Sequence, residues 1–340
     1  MIGCLRLLLA VSVLIRHTSP IFGLHLVGGN NAVRAFFLLS GFFIALSLHR
    51  KYNSYITYIV NRFLRLYPLY ALIAVFTIVA SYISLSWGDA FSLWPYLYRP
   101  ADGIAKVLIC LCNLTMFSGL LAFFQVDALG HLSLCLTETS NMLYFILVTP
   151  AWALTSQIMF YLIAPLLVRR HFLVLIALAV GSYLLRFPLL DAGLDFSTIV
   201  YRFFPAELVY FVMGILAYQV SQVIGKKSLL PPILIIVMIF GYQLLPYKSE
   251  MLLPAALTMA LPFSQLSAGR IDKYLGDLSY PVFLSHFMIA HYVAYMTTKP
   301  WLGLATLVVT IPISIILLEL AKPIEKMRVK LASSQSCPKP

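Results

Sequence analysis

Charge is what this sequence has least of. Asp, Glu, Lys and Arg make up 11% of its 340 residues, and only 12 of those are acidic. A soluble domain carries about a quarter charged residues. So few charges cannot cover the surface of a water-soluble fold of this size. No low-complexity linker and no internal repeat is visible, which argues against tethered domains and against an inverted-repeat transporter. The five cysteines, Cys4, Cys110, Cys112, Cys135 and Cys337, fall mostly in apolar stretches. They lack the paired spacing of a zinc site, so no metal is expected. No small-x-small cleavage site follows the first apolar segment, and Arg16-His17 interrupt its end. That segment reads as a membrane helix and not as a cleaved leader.

What is present is apolar: 61% hydrophobic residues with a mean hydropathy of +0.92. Segments of roughly 17 to 25 residues recur from end to end, the length a helix needs to cross a bilayer. Candidate helices cover about 2–20, 32–48, 67–87, 104–124, 143–168, 172–187, 203–223, 229–245, 251–267, 278–297 and 301–320. Positive charge then sets the topology. Arg50, Lys51, Arg62 and Arg65 hold one loop in the cytoplasm, and Lys322, Lys326, Arg328, Lys330 and Lys339 hold the C-terminal end there. An even number of crossings follows if the N-terminus is also inside. Letting 104–124 be re-entrant or interfacial gives ten crossings. Arg169-Arg170, Lys226-Lys227 and Arg270/Lys273 then lie inside, and acids including Asp89, Asp102, Asp127, Glu138, Asp191, Asp195 and Glu250 outside. The expectation is an all-α, polytopic transmembrane bundle: one integral domain over 1–325 and a short basic cytoplasmic tail over 326–340. It sits in a cell membrane with both termini cytoplasmic. The net charge of +12 is a matter of topology and lipid contact, and no nucleic-acid partner is expected.

Ionisable groups inside such segments need a reason. Arg6 and His17 are eleven positions apart, about 16 Å and almost three turns on a helix, so both point to a similar face. An anion anchor near one mouth and a titratable imidazole further along suit a passage. A snorkelling arginine and an interfacial histidine explain the same pattern structurally. Arg34 opens the second segment, and within it Ser40-Gly41 let helices approach closely or hydrogen-bond. Arg62 and Arg65 lie one turn apart just before Pro68, which is expected to open the third helix. They fit either phosphate recognition or positive-inside bias. Pro231-Pro232 mark another helix start. Thr155-Ser156-Gln157 follow Trp152, Glu207 is an acid within an apolar helix, and Ser279-Tyr280-Pro281 are expected to open the helix that carries His286. Buried groups of this kind usually pair with one another.

Six short segments in order resemble the acyltransferase 3 family of integral-membrane acyltransferases, over nearly the whole chain. They are Arg6-x10-His17, Ala35-Phe-Phe-Leu-Leu-Ser-Gly-Phe42, Asn61-Arg-Phe-Leu-Arg-Leu-Tyr-Pro68, Trp152-x-Leu154 with Phe160-Tyr161 and Pro165, Tyr210-Phe-Val-Met-Gly-Ile-Leu-Ala-Tyr218, and Tyr274-Leu-Gly-Asp-Leu-Ser-Tyr-Pro-Val-Phe-Leu-Ser-His286. Two departures stand out. Gln157 occupies the place of the family's glutamate, and Ala321-Lys-Pro323 stands where Glu-x-Pro is common. The resemblance implies O-acylation, typically O-acetylation, of a glycan or lipid-linked saccharide outside the cytoplasm. Acyl-CoA (acetyl-CoA) is the implied co-substrate, with no bound cofactor. It implies His17 as general base or transient acyl carrier, tasks that an imidazole of ordinary pKa about 6.5 suits. Arg6, Arg62 and Arg65 would serve the donor's phosphates or the cytoplasmic mouth, and Arg34 an anionic acceptor group. Ser40, Gln157, Ser279 and His286 would line the route. A glycan, lipid or small-molecule transporter is the alternative from another class.

Overall fold

A computed structural model describes residues 1–50, 54–89, 91–135, 142–196, 198–224, 227–245, 249–265 and 269–333. Lys51, Glu138, Lys226, Lys339 and Cys337, all read above, lie outside the described residues. The chain divides into two compact units, 1–69 with 164–176 and 210–340, and 70–163 with 177–209.

The first unit is built on α1 (Ile2–His17), α2 (Gly29–Arg50) and the first half of α3 (Tyr55–Ser84). To these it adds most of α9 (Phe204–Val223), then α10 (Leu230–Gly241), α11 (Leu252–Ala260), α12 (Arg270–Val293) and α13 (Leu302–Ser333). Helices α1 and α12 run side by side in the same direction. At one end Gly3 meets α12 so closely that a Cβ there would lie 1.6 Å from the Asp272 carbonyl oxygen. The Asp272 side chain also accepts the Cys4 N–H at 3.0 Å, placing a carboxylate at the positive end of α1. At the other end His17 packs on His286 and Phe287. Helix α2 crosses α9 through Gly41 and Gly214, as a close-approach glycine in the second segment predicts. The seam is lined by Phe37 stacked on Phe211, with ring centroids 4.6 Å apart.

The second unit holds the rest of α3, then α4 (Trp94–Tyr98), α5 (Gly103–Leu114), most of α6 (Trp152–Leu167), the end of α7 (Phe172–Leu184) and α8 (Arg186–Asp191). Between α5 and α6 a two-stranded antiparallel hairpin pairs β1 (Phe124–Val126) with β2 (Leu132–Leu134). Its core gathers Ile109, Cys112, Leu121, Met142 and Phe145. Asn113 ties α5 to the following chain, donating to the Phe145 carbonyl at 3.0 Å and accepting the Leu147 N–H at 2.9 Å.

The helical membrane class holds, and the ten crossings expected are not established by it. Among the described residues six helical stretches are long and apolar enough to span: 29–49, 55–87, 149–167, 172–191, 204–223 and 299–329. The segments expected over 229–245 and 251–267 form the shorter helices α10 and α11. The segment over 104–124 is α-helical only to Leu114, where the chain turns at Met116 with φ of +62°, and resumes as a short 3₁₀ helix over Ser118–Phe123. In the segment expected from 143 the α-helix begins at Trp152, preceded by short 3₁₀ helices over Met142–Phe145 and Thr149–Ala151. Two prolines overturn the boundaries assigned to them. Pro68 and Pro281 lie inside α3 and α12 instead of opening them. Proline removes one helical hydrogen bond, and neighbouring helices sustain the rest of the ladder in a membrane protein. Pro231-Pro232 do stand in the first turn of α10. Helix α13 runs on to Ser333, so the basic tail begins as helix.

Candidate functional site

The eleven-residue spacing on α1 does place Arg6 and His17 on one face, and that face is turned to α12. The Arg6 guanidinium comes beside Gly276, Nη1 lying 3.8 Å from where a Cβ would stand. Eleven positions on, the His17 ring lies 5.4 Å from the His286 ring, centroid to centroid, tilted by 37°. Phe287 closes edge-on against His17 at 5.4 Å. His17 ends α1 and is exposed, whereas His286 is wholly buried. The His286 Nδ1 faces the Phe283 carbonyl oxygen at 2.8 Å. A carbonyl only accepts, so Nδ1 carries the hydrogen and Nε2 is left with its lone pair. That buried Nε2 has no hydrogen-bond partner among the described residues. Ser279, immediately before Tyr280-Pro281, is buried and donates to its own helix at the Gly276 carbonyl, 2.7 Å away.

The remaining candidates are divided between the two units. Arg62 and Arg65 differ in surroundings although one turn apart. Arg62 is buried, donates to Ser47 Oγ at 2.7 Å and lies 5.6 Å from the Tyr58 ring centroid. Arg65 is exposed. It shares its surroundings with two residues that charge counting assigned to topology, Lys273 and Arg328: Arg328 pairs with the Glu325 carboxylate, and Arg65 and Lys273 lie within electrostatic reach of it. Arg328 is held there by Asn61, whose Oδ1 accepts from Nη1 at 2.8 Å. Three cations from α3, α12 and α13 around one carboxylate leave a surplus of positive charge, which suits a phosphate-bearing ligand. Arg34 is buried and engaged, its Nη1 2.8 Å from Glu250 and its guanidinium 5.3 Å from the Tyr210 ring centroid. Ser40 is half-buried on α2. Gln157 belongs to the second unit, buried on α6 beside Thr155, which accepts the Gly119 N–H at 2.9 Å and donates to the Met116 carbonyl. Glu207 pairs with Arg186 at 2.9 Å, both buried, so this acid is neutralised within the second unit.

Two features escaped the sequence reading. Thr306, Thr310 and Ser314 on α13 are fully buried, and among the described residues none of their hydroxyl oxygens has a hydrogen-bond partner. Their spacing of four residues, one helix face, was the available signal. The other is the turn after α1. Ile21 and Leu24 exchange hydrogen bonds across Phe22-Gly23, with φ of +51° and +76°, the signs of a type I′ turn. Phenylalanine is costly there, by about 1–2 kcal/mol, and its ring is 79% exposed.

Residues 2–319 match a family described as an acyltransferase domain, the acyltransferase 3 group that the six segments resemble. Protein 2 in the picA locus of Rhizobium radiobacter is 34% identical over 153 residues, which cover 44% of this chain and 71% of that relative. No solved structure matches the chain. With the family match running through nearly all the helices that carry Arg6, His17 and His286, the chain belongs to the acyltransferase 3 family and is a helical membrane acyltransferase.

Proposed function

We propose that the protein moves an acetyl group from acetyl-CoA on the cytoplasmic side to a hydroxyl of a glycan or lipid-linked saccharide outside a bacterial cell membrane, both ends of the chain being cytoplasmic. The observation that carries this reading is the α12-facing side of α1. It holds a cation at one end and an accessible imidazole at the other, about 16 Å apart, with a second, buried imidazole against the first. The basic group of Arg65, Lys273 and Arg328 supplies charge for the coenzyme's phosphates, with Arg6 further along the route. Acetyl-CoA enters as co-substrate, and no resident cofactor takes part.

In this mechanism His17 accepts the proton of the acceptor hydroxyl as that oxygen attacks the thioester carbonyl carbon. The new C–O bond forms, the C–S bond breaks, and the coenzyme leaves as thiolate, which recovers the proton. His286 is a positioning residue: packed on His17 and locked by Phe283, it holds the catalytic ring. Gln157 cannot act as a carboxylate, so no proton step is assigned to it. Arg34, already paired with Glu250, serves the packing of α2.

The test is turnover by the purified protein in liposomes supplied with acetyl-CoA and surface glycan extract. His17→Ala should lower release of free coenzyme A about 10²–10⁴-fold, the usual worth of a general base. Arg65→Ala should raise the KM for acetyl-CoA more than it lowers kcat. Normal turnover by His17→Ala sinks the assignment, and passage of substrate across the vesicle without any acyl product makes the protein a transporter.

A further inference from the structure

The strained turn after α1 forms one wall of a groove of about 390 Å³ lined by Ser19, Pro20, Phe22, Pro300, Trp301 and Leu304. Phe22 is 79% and Trp301 58% exposed. The two walls come from different parts of the chain and are fastened together. Ser19 Oγ accepts the Gly303 N–H at 2.8 Å and donates to the Pro300 carbonyl. Gly303 has no room for a side chain, since a Cβ would lie 2.1 Å from the Ser19 carbonyl oxygen. Ser19 is two residues from His17, within about 8 Å along the chain.

We propose that this groove holds a pyranose ring of the acceptor, its apolar face laid against Trp301 and Phe22, with a ring hydroxyl brought to His17. The inference rests on the acyl-transfer reading for its choice of a hydroxyl-bearing ligand beside His17. The composition of the lining favours a sugar ring over other occupants. No charged side chain lines the groove, so a phosphate or carboxylate finds no partner there. Aromatic faces bind the C–H face of a pyranose without needing charge, and the sugar's hydroxyls remain free to react or stay hydrated. A lipid chain adapts to any width and needs only a tryptophan at the membrane interface. It gives no reason for a phenylalanine held at positive φ or for walls pinned by Ser19. On the same reading the donor belongs elsewhere, because Arg65, Lys273 and Arg328, assigned to its phosphates, lie toward the opposite end of α1.

The test reads binding and needs no acyl chemistry. The protein in phosphatidylcholine nanodiscs is titrated with cellobiose and with methyl β-glucopyranoside, following tryptophan fluorescence. The Trp301→Phe protein supplies the background of the other tryptophans. The expected result is a saturable change belonging to Trp301. Phe22→Gly removes the ring and relieves the backbone, so this protein should unfold no earlier than wild type while its sugar affinity falls roughly fivefold. Phe22→Tyr should keep wild-type affinity. No saturable change with either sugar, or equal affinity in Phe22→Gly, overturns the proposal. Quenching of Trp301 by brominated lipid that saturating sugar does not relieve assigns the groove to lipid. Sugar binding without any release of coenzyme A keeps the groove and sinks the acetyl-CoA reading instead.

Discussion

Replacing Gly41 by alanine should separate α2 from α9, and the size of the effect can be worked from the seam. A Cβ at Gly41 would stand 2.0 Å from the Phe211 carbonyl oxygen, and one at Gly214 the same distance from the Leu38 carbonyl oxygen. Ordinary contact begins at 3.4 Å, so the helices must part by about 1.4 Å or bend. The obstacle is backbone on both sides, and no rotamer relieves it. A gap of that size forfeits a large share of the dispersion energy of every atom pair it opens. Here those pairs include the buried rings of Phe37, Phe42 and Phe211. Overpacking of this kind costs about 1–3 kcal/mol. The expected loss lies at the upper end, even after alanine's helix-propensity gain of about 1 kcal/mol over glycine. Gly181 in α7 is the control, for a Cβ there meets nothing within 4 Å. The same substitution at Gly181 should be neutral or stabilise by about 0.5–1 kcal/mol. Reversible unfolding in mixed micelles, titrated with SDS, measures both. The double Gly41→Ala, Gly214→Ala protein should lose less than the sum of the singles, since one displacement relieves both clashes. Equal stability of Gly41→Ala and Gly181→Ala would refute the close-approach argument.

Two ion pairs give further expectations. Glu207→Leu leaves the Arg186 guanidinium in a buried site without its carboxylate and should destabilise the protein by about 3–5 kcal/mol, whereas Arg186→Met with Glu207→Leu should recover most of that loss. Unfolding midpoints of the three proteins settle it, and a double variant as unstable as the single would show that the pair is not the cause. For Arg34 and Glu250, whose carboxylate is partly exposed, a double-mutant cycle to alanine should give a coupling of about 1 kcal/mol. A coupling near zero, together with loss of acceptor affinity in Arg34→Ala alone, would return Arg34 to the acceptor.

Much of the site's logic was legible along the chain. Arg6 and His17 share a face because eleven residues nearly complete three helical turns, a property of the helix alone. Ser40-Gly41 announced a close crossing for the same local reason: a residue without a side chain lets backbones meet. Proline misled, since the rules that place it at helix starts describe isolated segments. Pro68 and Pro281 are carried inside α3 and α12, where packing outweighs one missing hydrogen bond. The segments over 229–245 and 251–267 do hold apolar helices, shorter than a full span, because hydropathy measures how apolar a stretch is and not where its helix ends.

The sequence by itself determined that this chain is helical, belongs to the membrane and carries a polar face on its first helix, because charge scarcity and helical period act locally. Only the tertiary structure decided the partners: His17 with His286, 269 positions later, Glu207 with Arg186, Arg34 with Glu250, and Arg65 with Lys273 and Arg328 around Glu325. Which polar group answers which depends on the way helices cross. That is fixed by close contacts such as Gly3 on α12 and Gly41 on α9, and no spacing within one segment encodes it.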